Sequence, residues 1–468
     1  MPLVVGVDSS TSACKVQVRD GETGAVVASG RSSHPPTSPP RSEQHPRDWE
    51  SAFRLACAEA GVPEAHRPAA VAVAAQQHGL VVLGSEGDVL RPAKLWNDTE
   101  SAPDAEALVH SLPGGASAWA TGCGSVPPAS FTIAKLGWLR RCEREAFGRT
   151  ATVLLPHDWL SFRLTGRRTT DRGDASGTGY WSPREGRYRI DLLELVDASR
   201  EWETMLPEVV APHGVAGEWD GAVVAPGTGD NMAAALGLGL RTGDLALSLG
   251  TSGTAYTVSE EPSPADPTGS VAGFADATGR FLPLVCTLNA TKVTDAVAGV
   301  LGMDFERFDA AALSAPAGAG GLTLVPHFDG ERTPNRPEAA GTLRGIRNDV
   351  TPDRLARAAV EGVVCNLLAG ADALGHTPGR VFLVGGAAHS AAYRRVVADL
   401  TGRPVIVPDE PELVAAGAAV QAAAVLHGRD FHEVSDSWGL GCGVVVEPEG
   451  AEPPDAIRAA YAAAAAHP

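Results

Sequence analysis

Two aspartates stand where the chain could do chemistry. Asp8 closes the apolar run Leu3–Val7 and is followed at once by four small hydroxyl residues, Ser9 to Ser12. A turn of Gly, Ser and Thr aims successive backbone N–H groups into one concavity and binds anions without a formal positive charge. An acid beside such a turn repels phosphate unless a divalent cation intervenes, and Mg²⁺ is the usual mediator between carboxylate and phosphate. The plainer alternative for Asp8 is an Asx-turn residue that closes the hairpin. Asp230 lies in "APGTGDNMAAALGLG", after a glycine-rich loop and before a helix of small residues. It suits a cleft carboxylate, or equally a helix N-cap.

Three further segments gather polar groups between apolar runs. In "VAVAAQQHGLVVL", Gln77 and His78 sit in a turn between two strand-like stretches, and ligands of open α/β sheets collect at such strand ends. Asn97 and Asp98 follow Trp96, as a rim for a polar, uncharged substrate or as an ordinary Asx turn. "FLVGGAAHS" places Gly385, Gly386 and Ser390 between a strand and a helix, where a bare backbone can approach a flat ligand.

Composition narrows the choice of ligand. The 468 residues carry 56 acidic and 38 basic side chains, a formal charge of −18. That balance argues against nucleic acid and against an anionic membrane surface, both of which need a basic footprint. Only four of the basic residues are lysines (Lys15, Lys94, Lys135 and Lys292), and none follows a glycine, so the G-x-x-x-x-G-K-[ST] phosphate loop is absent. The seven cysteines are scattered without C-x-x-C spacing, the pattern of reduced thiols. No signal peptide is legible and the apolar stretch Leu413–Leu426 is too short to span a bilayer, so a cytoplasmic location is expected.

These residues need elements to hold them. Strand-like runs alternate with helical patterns, the sign of an α/β architecture. Strands are expected at Leu3–Val7, Cys14–Arg19, Ala70–Ala75, Leu80–Gly84, Leu245–Ser248, Leu322–Val325, Val381–Val384 and Pro404–Val407. Helices are expected over Trp49–Ala60, Lys135–Phe147, Arg354–Leu374, Ala391–Leu400 and Leu413–Leu426, with surface loops at Arg31–Pro46 and Ser259–Ser270. The opening "GVDSSTSACKVQVRD" is echoed by "LSLGTSGTAYTVSE": Thr11-Ser12 align with Thr251-Ser252 at an offset of 240 residues. Length alone suggests about three domains. The echo suggests two related lobes, 1–241 and 242–468, each opening on a hairpin whose turn points at a shared cleft.

In this order the segments resemble the FGGY family of carbohydrate kinases, which has a two-lobed actin/hexokinase-type (ribonuclease H-like) α/β fold with a central cleft. Asp8-x-x-Thr11-Ser12-x-x-Lys15 resembles the first phosphate hairpin, "LSLGTSG" the second, "GDN" the catalytic loop and "VGGAAHS" the adenosine loop. Two longer signatures nearly match, from Ser130 to Leu139 and from Gly341 to Glu361, with departures at Cys142 and Arg354. "QQHG", "LWND", "GDASGTGYW" and "GERTP" are most similar to members that phosphorylate D-xylulose.

The resemblance implies an ATP-dependent kinase acting on the C5 hydroxyl of D-xylulose, with Asp230 as general base and Asp8 supporting Mg²⁺ and phosphate. Both aspartates would face the metal. Gln77 and His78, with Asn97, Asp98 and Asp230, would meet the sugar. Thr11, Ser12, Lys15, Gly250 and Thr251 would hold phosphates, and Gly385, Gly386 and Ser390 would lie by the adenosine. A homodimer is a family expectation. Gln77 replaces the usual Met and Glu100 a common Arg. Another pentulose, a polyol or an aldonate therefore remains open as substrate, as does a non-catalytic sugar and nucleotide sensor.

Overall fold

The computed structural model describes residues 2–375, 379–449 and 454–466. The chain divides into two compact units, and neither is continuous. One comprises Met1–Leu240, Ser259–Leu282 and Glu410–Gly441; the other comprises Arg241–Val258, Pro283–Asp409 and Cys442–Pro468. The chain passes from one unit to the other after Leu240 and crosses four more times.

The first unit is built on a seven-stranded sheet. Its main path runs Gly217–Trp219, Ala222–Val224, Pro68–Ala75, Leu3–Ser9, Ala13–Asp20, Val26–Ser33, and Thr228–Gly229 pairs beside Pro68–Ala75. Leu3–Ser9 and Pro68–Ala75 lie parallel and read as nearly unbroken apolar runs, because both sheet faces are covered. Helix Pro46–Glu59 covers one face, seating Trp49, Phe53 and Ala56 in a cluster with Val16, Val18, Val71 and Val73. Helix Leu413–His427 packs on Leu3–Ser9, Pro68–Ala75 and helix Asp230–Gly237. It approaches so closely that a Cβ on Gly6 would fall on the Ala415 carbonyl oxygen, and one on Gly417 on that of Ala233.

The second unit repeats the plan. Phe281–Thr287, Gly253–Thr257 and Leu245–Leu249 form an antiparallel trio; Val381–Val384 then Val405–Pro408 run parallel, and Gly443–Val446 closes antiparallel. The first sheet shows the same sequence of pairings: an antiparallel trio, two parallel neighbours and an antiparallel edge. The internal echo is therefore a repeat of topology. In register, Ser9 faces Cys14 while Leu249 faces Gly253, so the second turn is one residue shorter.

Every expected strand and helix is present within a few residues, with two differences. The helix expected over Lys135–Phe147 breaks into Thr132–Cys142 and Arg144–Arg149. Glu143 leaves helical geometry between them and its carboxylate accepts from Arg91 Nε at 2.8 Å. The expected surface loop Arg31–Pro46 begins inside strand Val26–Ser33, contains the short strand Glu43–Gln44 and buries His34, Ser42 and Gln44. Gln44 donates to the carbonyls of Thr11 and Pro35, and Trp49 Nε1 donates to Gln44 Oε1, so the Gln44 amide is satisfied inside.

Because Gly417 meets backbone rather than a movable side chain, Gly417→Ala should lower stability by about 1–3 kcal/mol or more, the usual penalty of overpacking. Gly299, inside helix Thr291–Leu301, has open space where its Cβ would be. Gly299→Ala should instead be stabilising by about 0.5–1 kcal/mol. Urea midpoints of the two variants against the parent chain check both signs.

Candidate active site

In the first unit three parallel strand ends are held level. Ala75 pairs with Ser9 on one side and with Gly229 on the other. The residues next to those pairs, Asp8, Gln76-Gln77-His78 and Asp230, are thereby set side by side at the C-terminal edge of the sheet. Asp230 begins helix Asp230–Gly237. Its Oδ1 accepts from Asn231 N at 2.8 Å and from Asn231 Nδ2 at 2.9 Å, which leaves Oδ2 as the oxygen turned to other work. Asn231 Nδ2 also donates to Gln77 Oε1 at 2.9 Å. A carboxylate only accepts, so the atom facing it is the amide nitrogen, and Gln77 in turn must present its oxygen. Gly229 makes room for this link, since a Cβ there would strike Gln77 Cγ at 2.6 Å.

Burial shapes the charges. It is the main cause lifting Asp230 from the usual 3.8 to about 7, helped by the negative neighbours Asp8 and Asp174. Burial also lifts Asp8 to about 6, against the pull of Lys15. Asp8 Oδ1 is buried without a hydrogen-bond partner, while Oδ2 lies 3.5 Å from Lys15 Nζ. Lys15 donates to Glu412 at 2.6 Å. Burial works against its charge, but Glu412 and Asp8 hold the ammonium above its ordinary value.

Behind Asp230 lies a fully buried cluster. His157 Nδ1 is 2.8 Å from Asp174 Oδ2 and 3.1 Å from Asp158 Oδ1, and its Nε2 is 3.1 Å from the Pro226 carbonyl oxygen. Both ring nitrogens face acceptors, so both carry protons and the ring is an imidazolium. Burial alone would discharge it, but Asp158 and Asp174 carry it up to about 10. Asp174 itself is pushed up by burial to about 7, with His157 opposing. The same cluster pins the loop before Asp230. His157 holds Pro226, Thr228 Oγ1 donates to Asp171 at 2.8 Å, and Gln421 both donates to and accepts from the Gly227 backbone.

On the sugar-predicted side, His78 takes a left-handed backbone, φ 66°, and its Nδ1 lies 2.7 Å from the Gly177 carbonyl oxygen. Asn97 is half-buried beside the exposed Trp96. Asp98 is fully buried and its carboxylate is occupied: Oδ2 accepts from Lys94 and the Ser42 N–H, and Oδ1 from the Glu100 N–H. Glu100 likewise closes on Lys94 at 2.5 Å, over the Trp138 ring. The departure at Glu100 is thus absorbed by a buried lysine.

The first turn holds Thr11 half-buried, its hydroxyl donating to Gln76 and accepting from Trp96, with Ser12 exposed. In the second unit the pairing of Ser248 with Val384 brings the turn Gly250–Ser252 beside Gly385 and Gly386. Thr251 and Gly386 are exposed, and Gly385, at φ 85°, packs on the Leu249 backbone where a Cβ would not fit. The Gly250 and Thr251 carbonyls accept from Thr291 and Ala290 at the start of helix Thr291–Leu301. Ser390 is drawn away from this group. It is buried, caps helix Ala391–Thr401 by accepting from Tyr393 N, and donates to Asp309.

The chain matches the N-terminal domain of the FGGY family of carbohydrate kinases over residues 3–237 and the C-terminal domain over residues 245–426. The chain belongs to the FGGY family of carbohydrate kinases. It is therefore a phosphotransferase, with two seven-stranded sheets and a fold of the actin/hexokinase type. It is 48% identical to the xylulose kinases of Streptomyces coelicolor and Streptomyces rubiginosus, each alignment covering 95% of this chain and 92% of the relative. The crystal structure of xylulose kinase from Bifidobacterium adolescentis superposes with a TM-score of 0.90 at 40% identity over 99% of both chains.

Some residues around this FGGY site escaped sequence reasoning. Asn231 lies within "GDN", and Asp174 within "GDASGTGYW", yet neither motif told which partner it would take. Gln421 had a signal, being the single polar side chain in the apolar run Leu413–Leu426. His157 had none beyond its place in "PHDWL". The two departures from the family signatures, Cys142 at a helix end and Arg354 paired with Asp349, lie at surface positions.

A raised carboxylate makes the folded state lose stability as pH rises from the unfolded pKa, 3.8, to the folded one, about 7, because unfolding releases a proton in that window. Asp230→Asn removes that loss. The variant should melt above the parent chain at pH 8, with a smaller gap at pH 5, in thermal unfolding at the two pH values.

Proposed function

We propose that this chain transfers the γ-phosphoryl group of ATP to the C5 hydroxyl of D-xylulose. The observation that carries the reading is the 48% identity to xylulose kinases over 95% of the chain, together with Asp230 held at a strand end beside Gln77 and His78. Phosphoryl transfer asks for positioning and charge neutralisation more than for covalent chemistry from the protein.

Asp230 acts as the base, its Oδ2 taking the hydroxyl proton while Asn231 fixes Oδ1. Gln77, His78 and Asn97 orient the sugar, and Asp98 supports their rim through Lys94. The first turn offers Thr11, Ser12 and Lys15 to phosphate. The second offers Gly250 and Thr251, and Gly385 and Gly386 offer bare backbone to the adenosine, with Ser390 behind them as a helix cap. The buried, unpartnered oxygen of Asp8 fits a divalent cation. Asp8 and Asp230 would hold Mg²⁺, which when bound supplies positive charge against the phosphates. ATP and a small sugar are the partners, and a homodimer and a cytoplasmic location are what the family resemblance suggests. Among the described residues no helix is long and apolar enough to cross a membrane.

One observation favours a second sugar. Gln77 brings an amide where xylulose kinases usually have Met, and its Nε2 is buried without a partner. ADP release measured across D-xylulose, D-ribulose, gluconate and glycerol separates these readings. D-xylulose should be preferred by at least about tenfold in kcat/KM, which corresponds to about 1.4 kcal/mol of differential transition-state binding. Binding of ATP and sugar without ADP release would instead indicate a sensor. Asp230→Ala should abolish turnover while leaving ATP affinity within a few-fold; an active variant would remove Asp230 from the mechanism. Asp8→Ala should weaken Mg²⁺-dependent turnover.

A further inference from the structure

Lys135 is fully buried, and its ammonium makes its hydrogen bonds to backbone. It donates to the His78 carbonyl oxygen at 2.9 Å and to the Ser130 carbonyl oxygen. Burial drives its pKa down to about 7, with Asp98 working the other way and Lys94 adding to the fall. A buried ammonium facing carbonyls is a costly arrangement, so its geometry needs a reason. The reason lies in the residue it holds. His78 is one of three non-glycine residues with positive φ among the described residues, a conformation that costs roughly 1–2 kcal/mol for a residue with a Cβ. Thr132 Oγ1 donates to the same His78 carbonyl at 3.2 Å.

The ring of His78 is fixed just as firmly. The Gly177 carbonyl can only accept, so His78 Nδ1 carries the proton that it donates there. The imidazole stacks on Phe131, ring centroids 4.8 Å apart, with Phe274 at 5.6 Å. A Cβ on Gly177 would come within 2.5 Å of His78 Nδ1, and one on Gly179 within 2.8 Å of Ile133. Two segments that share no obvious chemistry in sequence, 130–135 and 173–179, therefore converge on one histidine. Ile133 N donates to the Thr178 carbonyl oxygen at 3.0 Å and ties them together.

We propose that Lys135 and Thr132 are positioning residues that clamp the left-handed backbone of His78 and thereby set affinity for the sugar, with no part in nucleotide binding. This rests on the reading of His78 as a sugar contact. The clamp explains why a lysine is placed where no carboxylate bonds to it: a cation can lock a carbonyl that a neutral side chain would hold more weakly.

The test compares KM for D-xylulose, KM for ATP and kcat in Lys135→Met, Thr132→Val, His78→Ala and the double variant Lys135→Met/His78→Ala. Lys135→Met should raise the sugar KM about tenfold, the worth of a hydrogen bond to a charged group, and leave the ATP KM within about twofold. Thr132→Val, which keeps the shape and deletes only the hydroxyl, should raise the sugar KM by about threefold. In the double variant the effect of Lys135→Met should vanish, because its route runs through His78.

An unchanged sugar KM in Thr132→Val and Lys135→Met, equal rises for sugar and ATP, or additive losses in the double variant would each overturn the clamp. If Lys135→Met does not fold, Thr132→Val alone and in combination with His78→Ala decides by the same criteria. An unchanged sugar KM in His78→Ala would overturn the sugar-contact reading itself, which separates that failure from failure of the clamp.

Discussion

The pairing of Ala75 with both Ser9 and Gly229 is the constraint on which the site depends. Three parallel strands that end at one level deliver Asp8, Gln77 and Asp230 to the same edge. Side chains alternate along a strand, so a slip of one residue would turn each of them to the opposite face. That register is held from outside the strands. Gln421 grips Gly227, Thr228 bonds Asp171, and helix Leu413–His427 lies so close on Gly6 that neither partner can slide without a clash.

The site also shows how an acidic protein can accommodate phosphate chemistry. Its carboxylates are buried and lifted toward neutral pH, and its cations are scarce and individually placed. His157 is an imidazolium between Asp174 and a carbonyl, Lys15 answers Asp8 and Glu412, Lys94 closes on Asp98 and Glu100, and Lys135 serves backbone alone. A buried charge is tolerated only when its partners are well placed, and each of these has a definite geometric task. The raised carboxylates of Asp8 and Asp230 cost the folded state stability at neutral pH, because burial disfavours their charged form.

The two units share a topology and differ in chemistry. Where the first sheet carries Asp8 near the end of its opening strand, the repeat carries Ser248, and its turn is a residue shorter. The first copy has a carboxylate at this position and the second a hydroxyl. The second keeps a neutral turn and a Gly385-Gly386 loop braced on it by the Leu249–Gly385 contact.

Much of this was readable in the residues themselves. The strands and helices and the repeated hairpin follow from periodicity, composition and local turn chemistry, which act over a few residues. The family was legible because its motifs are contiguous. What the sequence could not assign was partnership. Nothing local tells that Asp98 faces Lys94, that Glu100 is neutralised by the same lysine, that Ser390 is a helix cap bonded to Asp309, or that Lys135 holds His78. These pairs are separated by up to 81 residues and depend on which strand ends and helix faces meet. Sequence determined which polar groups exist; only the tertiary structure decided which of them are already satisfied and which remain to meet a substrate, because burial forces every polar group to find a partner or bear the desolvation cost.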